Sequence, residues 1–162
     1  MSPDSMSPGR APDVVIGIGN PLRRDDGIGP ALLAALHDRL PPTVDRIELD
    51  GEATRLIEAW SDRRRAVVLD AVCMGAAAGT VHDLRIDPRE PEGTPAVGTP
   101  SVSSHHPGLA AAIELGRAFD RLPRSLRVIG IEPEDLDHGA GLSASVDGSC
   151  AAAIDLVIEA LA

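Results

Sequence analysis

Two carboxylates and one imidazole stand out as residues whose types and settings could do chemistry. Asp26 is the second of two adjacent acids, Asp25 and Asp26, that follow a glycine-rich turn in VVIGIGNPLRRDDGIG (14–29). Asp70 ends the apolar run AVVLD, and His105 stands in SSHHPGL just before a helical pattern. A phosphate cradle at the opening turn would need glycines and backbone N–H groups, and extra negative charge there would oppose it. Adjacent acids suit a cation better. An O/O/N donor set fits a borderline divalent ion such as zinc, nickel, iron or cobalt, and three protein ligands leave positions open for water or a partner's atoms. Helix N-terminal dipoles beside Asp26 and His105 favour an ionised carboxylate and a neutral imidazole, which are the metal-binding forms.

Simpler roles compete for each residue. Asp26 is a candidate N-cap, Asp70 could cap the turn after its strand, and His105 could be an exposed neighbour of His106. Asp25 is expected to be the solvated member of the acid pair. His37, His82 and His138 fall on a helix face, in a strand and in an acidic loop, where nothing recruits them. A dinucleotide fold is a rival for the opening stretch: GIGNPL supplies two glycines of GxGxxG, and Asp50 could mimic the ribose-binding acid. Leu22 stands where the third glycine belongs, and the paired acids follow, both of which weaken that reading.

The elements that must position these residues are legible as alternating strands and helices. Strand patterns cover 13–18, 44–49, 65–70, 80–86 and 126–131; helical patterns cover 27–39, 52–62, 106–120 and 145–161. In the first helix Ile28, Leu32, Ala35 and Leu36 form the expected buried stripe, with Pro30 in the first turn. This order implies an α/β class: a single three-layer αβα domain over 13–162, with a mainly parallel central sheet of about five strands. Residues 1–12 are rich in Ser, Pro and Gly and read as a disordered tail. The proline-rich stretch 87–104 reads as a binding loop leading into His105. In open α/β sheets ligands bind beyond the carboxyl ends of the strands, and this topology brings Asp26, Asp70 and His105 to that edge.

Composition agrees. Trp60 and Phe119 are the only aromatics, branched aliphatics and alanine supply the hydrophobic content, and the net charge is −10 with no lysine. Nucleic-acid binding, which needs basic patches and stacking platforms, is not expected. Cys73 and Cys150 form no CxxC pair and read as two buried thiols of a reducing compartment. No leader and no membrane-length apolar run is seen, so a soluble cytoplasmic protein is expected, with a monomer the simplest state.

Four motifs in order give the chain a family resemblance. GIGNPLRRDDGIGP resembles the opening motif of the hydrogenase maturation endopeptidases, VVLDAV their second acidic motif, and SSHHPGL their S-x-H-x-x-G-L motif, with His105 in the matching place. RVIGIEPEDLDHGAGLSASV is similar to their C-terminal pattern. The resemblance implies that Asp26, Asp70 and His105 contact nickel. The first acid, often glutamate in such enzymes, is aspartate here. DGEATRLIEAW is a looser match to a Gly-Gly-Thr segment, which adds Gly51 and Thr54 as candidates. The implied activity is removal of a C-terminal extension from the large-subunit precursor of a nickel–iron hydrogenase, with nickel already installed in that precursor. Neither an HExxH helix nor a GxSxG elbow is present. Non-catalytic metal checking on the same scaffold is the alternative.

Overall fold

The computed structural model describes residues 10–89 and 107–162. Five strands form one sheet: β1 Asp13–Ile18, β2 Val44–Leu49, β3 Arg65–Ala71, β4 Val81–Ile86 and β5 Ser125–Ile131, in the order β2-β1-β3-β5-β4. Pairings β1–β2, β1–β3 and β3–β5 are parallel, and β4 runs antiparallel to β5. The sequence explains the difference between centre and edge. DVVIGI, RAVVLDA and SLRVIGI are near-continuous apolar runs, buried along almost their whole length, as strands covered on both faces must be. VDRIEL and VHDLRI alternate and lie at the two edges, partly exposed. No helix separates β3 from β4. A parallel return needs a crossover of about a dozen residues or more, usually helical, which fits β4 being the reversed strand.

Helices cover both faces. On one side α1 (Ile28–Ala35) and α5 (Cys150–Ala160) pack over Val15, Val67, Leu69, Ile129 and Ile131. On the other, α2 (Ala53–Trp60) and α3 (Pro107–Ala118) pack over Val14, Ile16, Ile18, Val68 and Val128, with Trp60 fully buried. This is the expected three-layer α/β architecture. Among the described residues no helix is long and apolar enough to cross a membrane.

Several expected boundaries move. The helix expected over 27–39 becomes a 3-10 turn, Arg24–Gly27, followed by the shorter α1. Its buried stripe is Ile28, Leu32, Leu33 and Leu36, while Ala35 is exposed where the helix ends. The helix expected over 145–161 splits into α4 (Ala144–Asp147) and α5. The break falls at Gly148–Ser149, where the Ser149 hydroxyl donates to the Gly79 and Ser145 carbonyls. Ala11 and Pro12, assigned to the tail by composition, are tied to the domain: Arg63 Nη1 donates to the Ala11 carbonyl at 2.7 Å and Arg64 N to the Pro12 carbonyl at 2.7 Å. Residues 1–9, most of the expected loop over 87–104, and His105 lie outside the described residues.

Candidate functional site

The strand order reverses between β1 and β3: from β1 the chain goes to β2 on one side, then to β3 on the other. Such a switch point opens a crevice at the carboxyl ends of the two strands. The motif's glycines shape the backbone there by letting the chain pack on itself. A Cβ on Gly17 would sit 2.7 Å from the Gly29 carbonyl oxygen, and one on Gly29 would sit 2.2 Å from the Ile18 and 2.6 Å from the Leu69 oxygen. Gly19 has φ +143°, and a Cβ on it would collide with the Asp26 carbonyl. Gly17, Gly19 and Gly27 suit by type both a tight turn and the close approach of a substrate strand. In this structure all three make close contacts with the chain's own backbone, and those of Gly17 and Gly19 wedge the start of α1 onto the end of β1.

Asp26 lies in the 3-10 turn that packs against β3, and Asp70 lies near the end of β3; each is 1% exposed. Asp26 does not cap α1. The N-cap is Gly27, without a side-chain bond, and Asp26 Oδ2 accepts from the Asn20 amide at 2.9 Å. Asn20 is the turn residue its type suggested: its Oδ1 accepts from Leu22 N at 2.9 Å and its carbonyl from Arg23 N at 3.0 Å. The turn's N–H groups are therefore committed internally, one of them to a carboxylate, which is the opposite of a phosphate cradle. Asp50 is likewise a local cap, accepting from Glu52 N at 3.1 Å and lying 3.7 Å from Arg55 Nη1. Both findings remove the grounds for a dinucleotide site.

His105, expected as the third ligand, lies outside the described residues; two residues later α3 begins. That helix starts at the same edge, because a Cβ on Gly108 would collide with the Gly51 carbonyl just beyond β2. Gly51 is buried with φ +91° and serves this close approach, while Thr54 is exposed and its amide donates to the α2 cap Glu52 at 3.0 Å. Among the described residues no three His, Cys, Asp or Glu side chains come together as a metal site.

Asp25 overturns its expected place in solvent. It is fully buried, and its carboxylate accepts from Glu134 N (2.9 Å), Asp135 N (2.9 Å), Ser143 N (2.7 Å) and Ser143 Oγ (2.8 Å). Burial pushes its pKa up, but the donors from Ser143, Asp135 and Glu134 together outweigh burial and hold it below the usual carboxylate value. The acid pair thus faces two ways, Asp26 toward the opening turn and Asp25 toward a segment more than a hundred residues on.

A fourth buried acid at this edge, Glu132, is not among the residues singled out from the sequence. Glu132 directly follows β5 and Asp70 is the last residue but one of β3, so an acid at the end of a buried apolar strand was the available signal. Its Oε1 accepts from Met74 N and from Ala76 N (3.2 Å) and lies 3.2 Å from His82 Nε2. His82 is therefore recruited after all, whereas His37 and His138 are exposed. Cys73 and Cys150 are free thiols, half-buried rather than buried. The pKa of Cys73 is raised by burial first, then by the charges of Glu132 and Asp70.

The chain is similar to known proteins along most of its length. A family model described as HycI, hydrogenase maturation protease, matches residues 31–160, a stretch that includes Asp70 and His105 and begins just after Asp26. The hydrogenase 2 maturation protease of Escherichia coli K12 is 30% identical over 151 residues, covering 91% of this chain and 89% of that protein. The hydrogenase expression/formation protein HupD of Rhizobium leguminosarum bv. viciae is 31% identical over 163 residues, covering 98% and 79%. Among solved structures, the hydrogenase maturating endopeptidase HybD of Escherichia coli matches with a TM-score of 0.71 at 31% identity, covering 91% of this chain and 90% of that one. A hydrogenase 2 maturation peptidase from a Thaumarchaeota archaeon matches at 0.67 and 28% identity, covering 91% and 96%. On sequence and fold together, this chain belongs to the hydrogenase maturation protease family.

Proposed function

We propose that this protein is an endopeptidase that removes the C-terminal extension of a nickel–iron hydrogenase large-subunit precursor and recognises nickel already bound in that substrate. The observation that carries the reading is that Asp26 and Asp70 lie at one edge of the sheet. The turn bearing one packs on the strand bearing the other, at the topological switch point, and both carboxylates are almost wholly buried. Carboxylates at the carboxyl edge of an open α/β sheet lie where such folds bind ligands, and carboxylate oxygens are suitable donors to a divalent cation.

Asp26 and Asp70 each offer carboxylate oxygen, and His105 an imidazole nitrogen, to complete the coordination of the substrate's nickel. A metal ion so held polarises the scissile carbonyl or activates a water as a Lewis acid, and one of the two acids takes the proton from that water. The names of the relatives, a hydrogenase 2 maturation protease and a hydrogenase expression/formation protein, support the choice of partner.

The test is the intact mass of a large-subunit precursor, nickel-loaded or nickel-free, after incubation with the protein. The expected result is loss of a C-terminal peptide from the nickel-loaded form alone. Binding to a competent precursor without any loss of mass would replace the protease reading with a nickel-checking chaperone. Equal cutting of both forms would remove nickel from the mechanism.

A further inference from the structure

Two buried carboxylates at the carboxyl edge have no part in the reaction just proposed, yet both are tied into one segment, residues 132–143. At its start Glu132 reaches to the amides of Met74 and Ala76, a few residues beyond Asp70. Further along, the amides of Glu134, Asp135 and Ser143 and the Ser143 hydroxyl all close on Asp25, the residue next to Asp26. Backbone bonds reinforce both joins. Glu132 N donates to the Thr80 carbonyl at 2.9 Å and its own carbonyl accepts from Gly79 N at 2.8 Å. Asp25 N donates to the Asp135 carbonyl, Arg24 N to Gly139, and Gly139 N to Leu22, at 3.0, 3.0 and 2.9 Å.

We propose that residues 132–143 form a strap that fixes Asp26 against Asp70, with Asp25 and Glu132 as positioning residues that touch neither substrate nor metal. The proposal rests on the reading of Asp26 and Asp70 as the acids that meet the substrate's nickel. Its physical basis is that a productive donor set must be held to within about half an ångström, by groups whose own bonds are satisfied. Asp26 sits in a short 3-10 turn, an element with little rigidity of its own. Its neighbour is held by four donors from a segment that is also anchored beside the end of β3. Strap and turn therefore move together or not at all.

The Asn20 amide reports the Asp26 carboxylate directly, because it donates to Asp26 Oδ2. In Asp25→Asn, one oxygen that faced N–H donors becomes an NH2 group, and the strap loses a charged acceptor. Hydrogen exchange at the Asn20 amide is expected to accelerate by about tenfold or more, the scale of losing a hydrogen bond to a charged group, while the Val68 and Val128 amides keep their protection. Cutting of the nickel-loaded precursor should lose kcat by a similar factor at unchanged KM, and the double variant Asp25→Asn/Asp26→Asn should be no slower than Asp26→Asn alone. Wild-type exchange at Asn20 in the Asp25 variant overturns the strap, as do losses from the two variants that multiply. If Asp26→Asn itself cuts normally, the nickel-ligand reading fails, while the Asn20 exchange still decides whether the strap positions that side chain. Should Asp25→Asn not fold, Ser143→Ala removes one of the four donors and is expected to speed the same amide to a smaller degree; no change there counts against the strap.

Discussion

The two ends of the sheet hold their buried acids in opposite ways. At the amino end Asp13, 4% exposed, accepts from Arg64 at 2.9 Å and Arg65 at 2.7 Å, and the buried guanidinium of Arg63 pairs with Asp45. Each carboxylate there meets a cation of the protein's own. At the carboxyl end Asp25 is held by backbone amides and a serine hydroxyl, and Glu132 by backbone amides and His82. Amides stabilise an ionised carboxylate by their dipoles without cancelling its charge. Hence Asp13 and Asp45 at the amino end meet arginines, while Asp25 at the carboxyl end keeps its charge on neutral donors. Fold stability is expected to depend on the first arrangement and the placing of Asp26 on the second.

The largest effect should come from breaking the carboxyl end at its two candidate ligands. Asp70→Asn and Asp26→Asn keep the shape and remove the charge, so each is expected to lower precursor cleavage by about a hundredfold or more, the scale of losing an essential acid–base or electrostatic group. Thermal unfolding of both variants should stay close to the wild-type midpoint, since Asn keeps the shape of the side chain and its carbonyl oxygen can still accept a hydrogen bond. A variant that loses activity and stability together would place its acid in the fold rather than in the reaction.

How much of this contrast was legible in the sequence depends on how far the decisive contact lies along the chain. Central strands were readable because burial on both faces demands unbroken apolar runs, as in AVVLD, and the edges because VDRIEL and VHDLRI alternate. Asp26 and Asp70 were readable as candidates because each adjoins a strand end, a local feature. The place of Asp25 was not, because its donors lie at separations of 109 to 118 residues and most are backbone groups, which carry no residue signature. The split between α4 and α5 escaped for the same reason: apolar spacing continues through it, and the hydroxyl of Ser149 is engaged by a distant carbonyl. Asp26 suited an N-cap by type, but the chain folds it back on Asn20 instead.

At the amino end the comparison predicts a stability effect without a kinetic one. Asp13→Asn should cost about 1–2 kcal/mol in urea unfolding, a charged hydrogen-bond loss discounted because Arg64 is half exposed, and leave cleavage below the transition unchanged. The pH dependence has a definite sign. Burial raises the Asp13 pKa, but the bonds from Arg65 and Arg64 and their charges together hold it below the ordinary value. Its contribution is therefore complete above the unfolded-state pKa and disappears as pH falls through the lower folded one. The stability gap between wild type and Asp13→Asn should be constant above about pH 5 and close progressively below about pH 4, with the arginines charged throughout. A gap that persists at pH 2 would mean that shape, not charge, holds this corner.

The smallest effect is also the one that reads the charge at the carboxyl end most directly. Cys73 and Cys150 are both free and half-buried, and burial raises the pKa of each. They differ in neighbours: Glu132 and Asp70 add to the shift at Cys73, and Asp147 at Cys150. Removing the Asp70 charge should lower the Cys73 pKa and so speed its alkylation at pH 8 by about threefold, since the thiolate is the reactive form and each unit of pKa is worth up to tenfold in thiolate. Cys150 should alkylate at the wild-type rate in Asp70→Asn. Faster reaction at both thiols would mean local opening rather than an electrostatic change. Unchanged reaction at Cys73 would mean that Asp70 is already neutral in the free protein, and the carboxyl end would then offer an arriving cation a proton to displace rather than a standing charge.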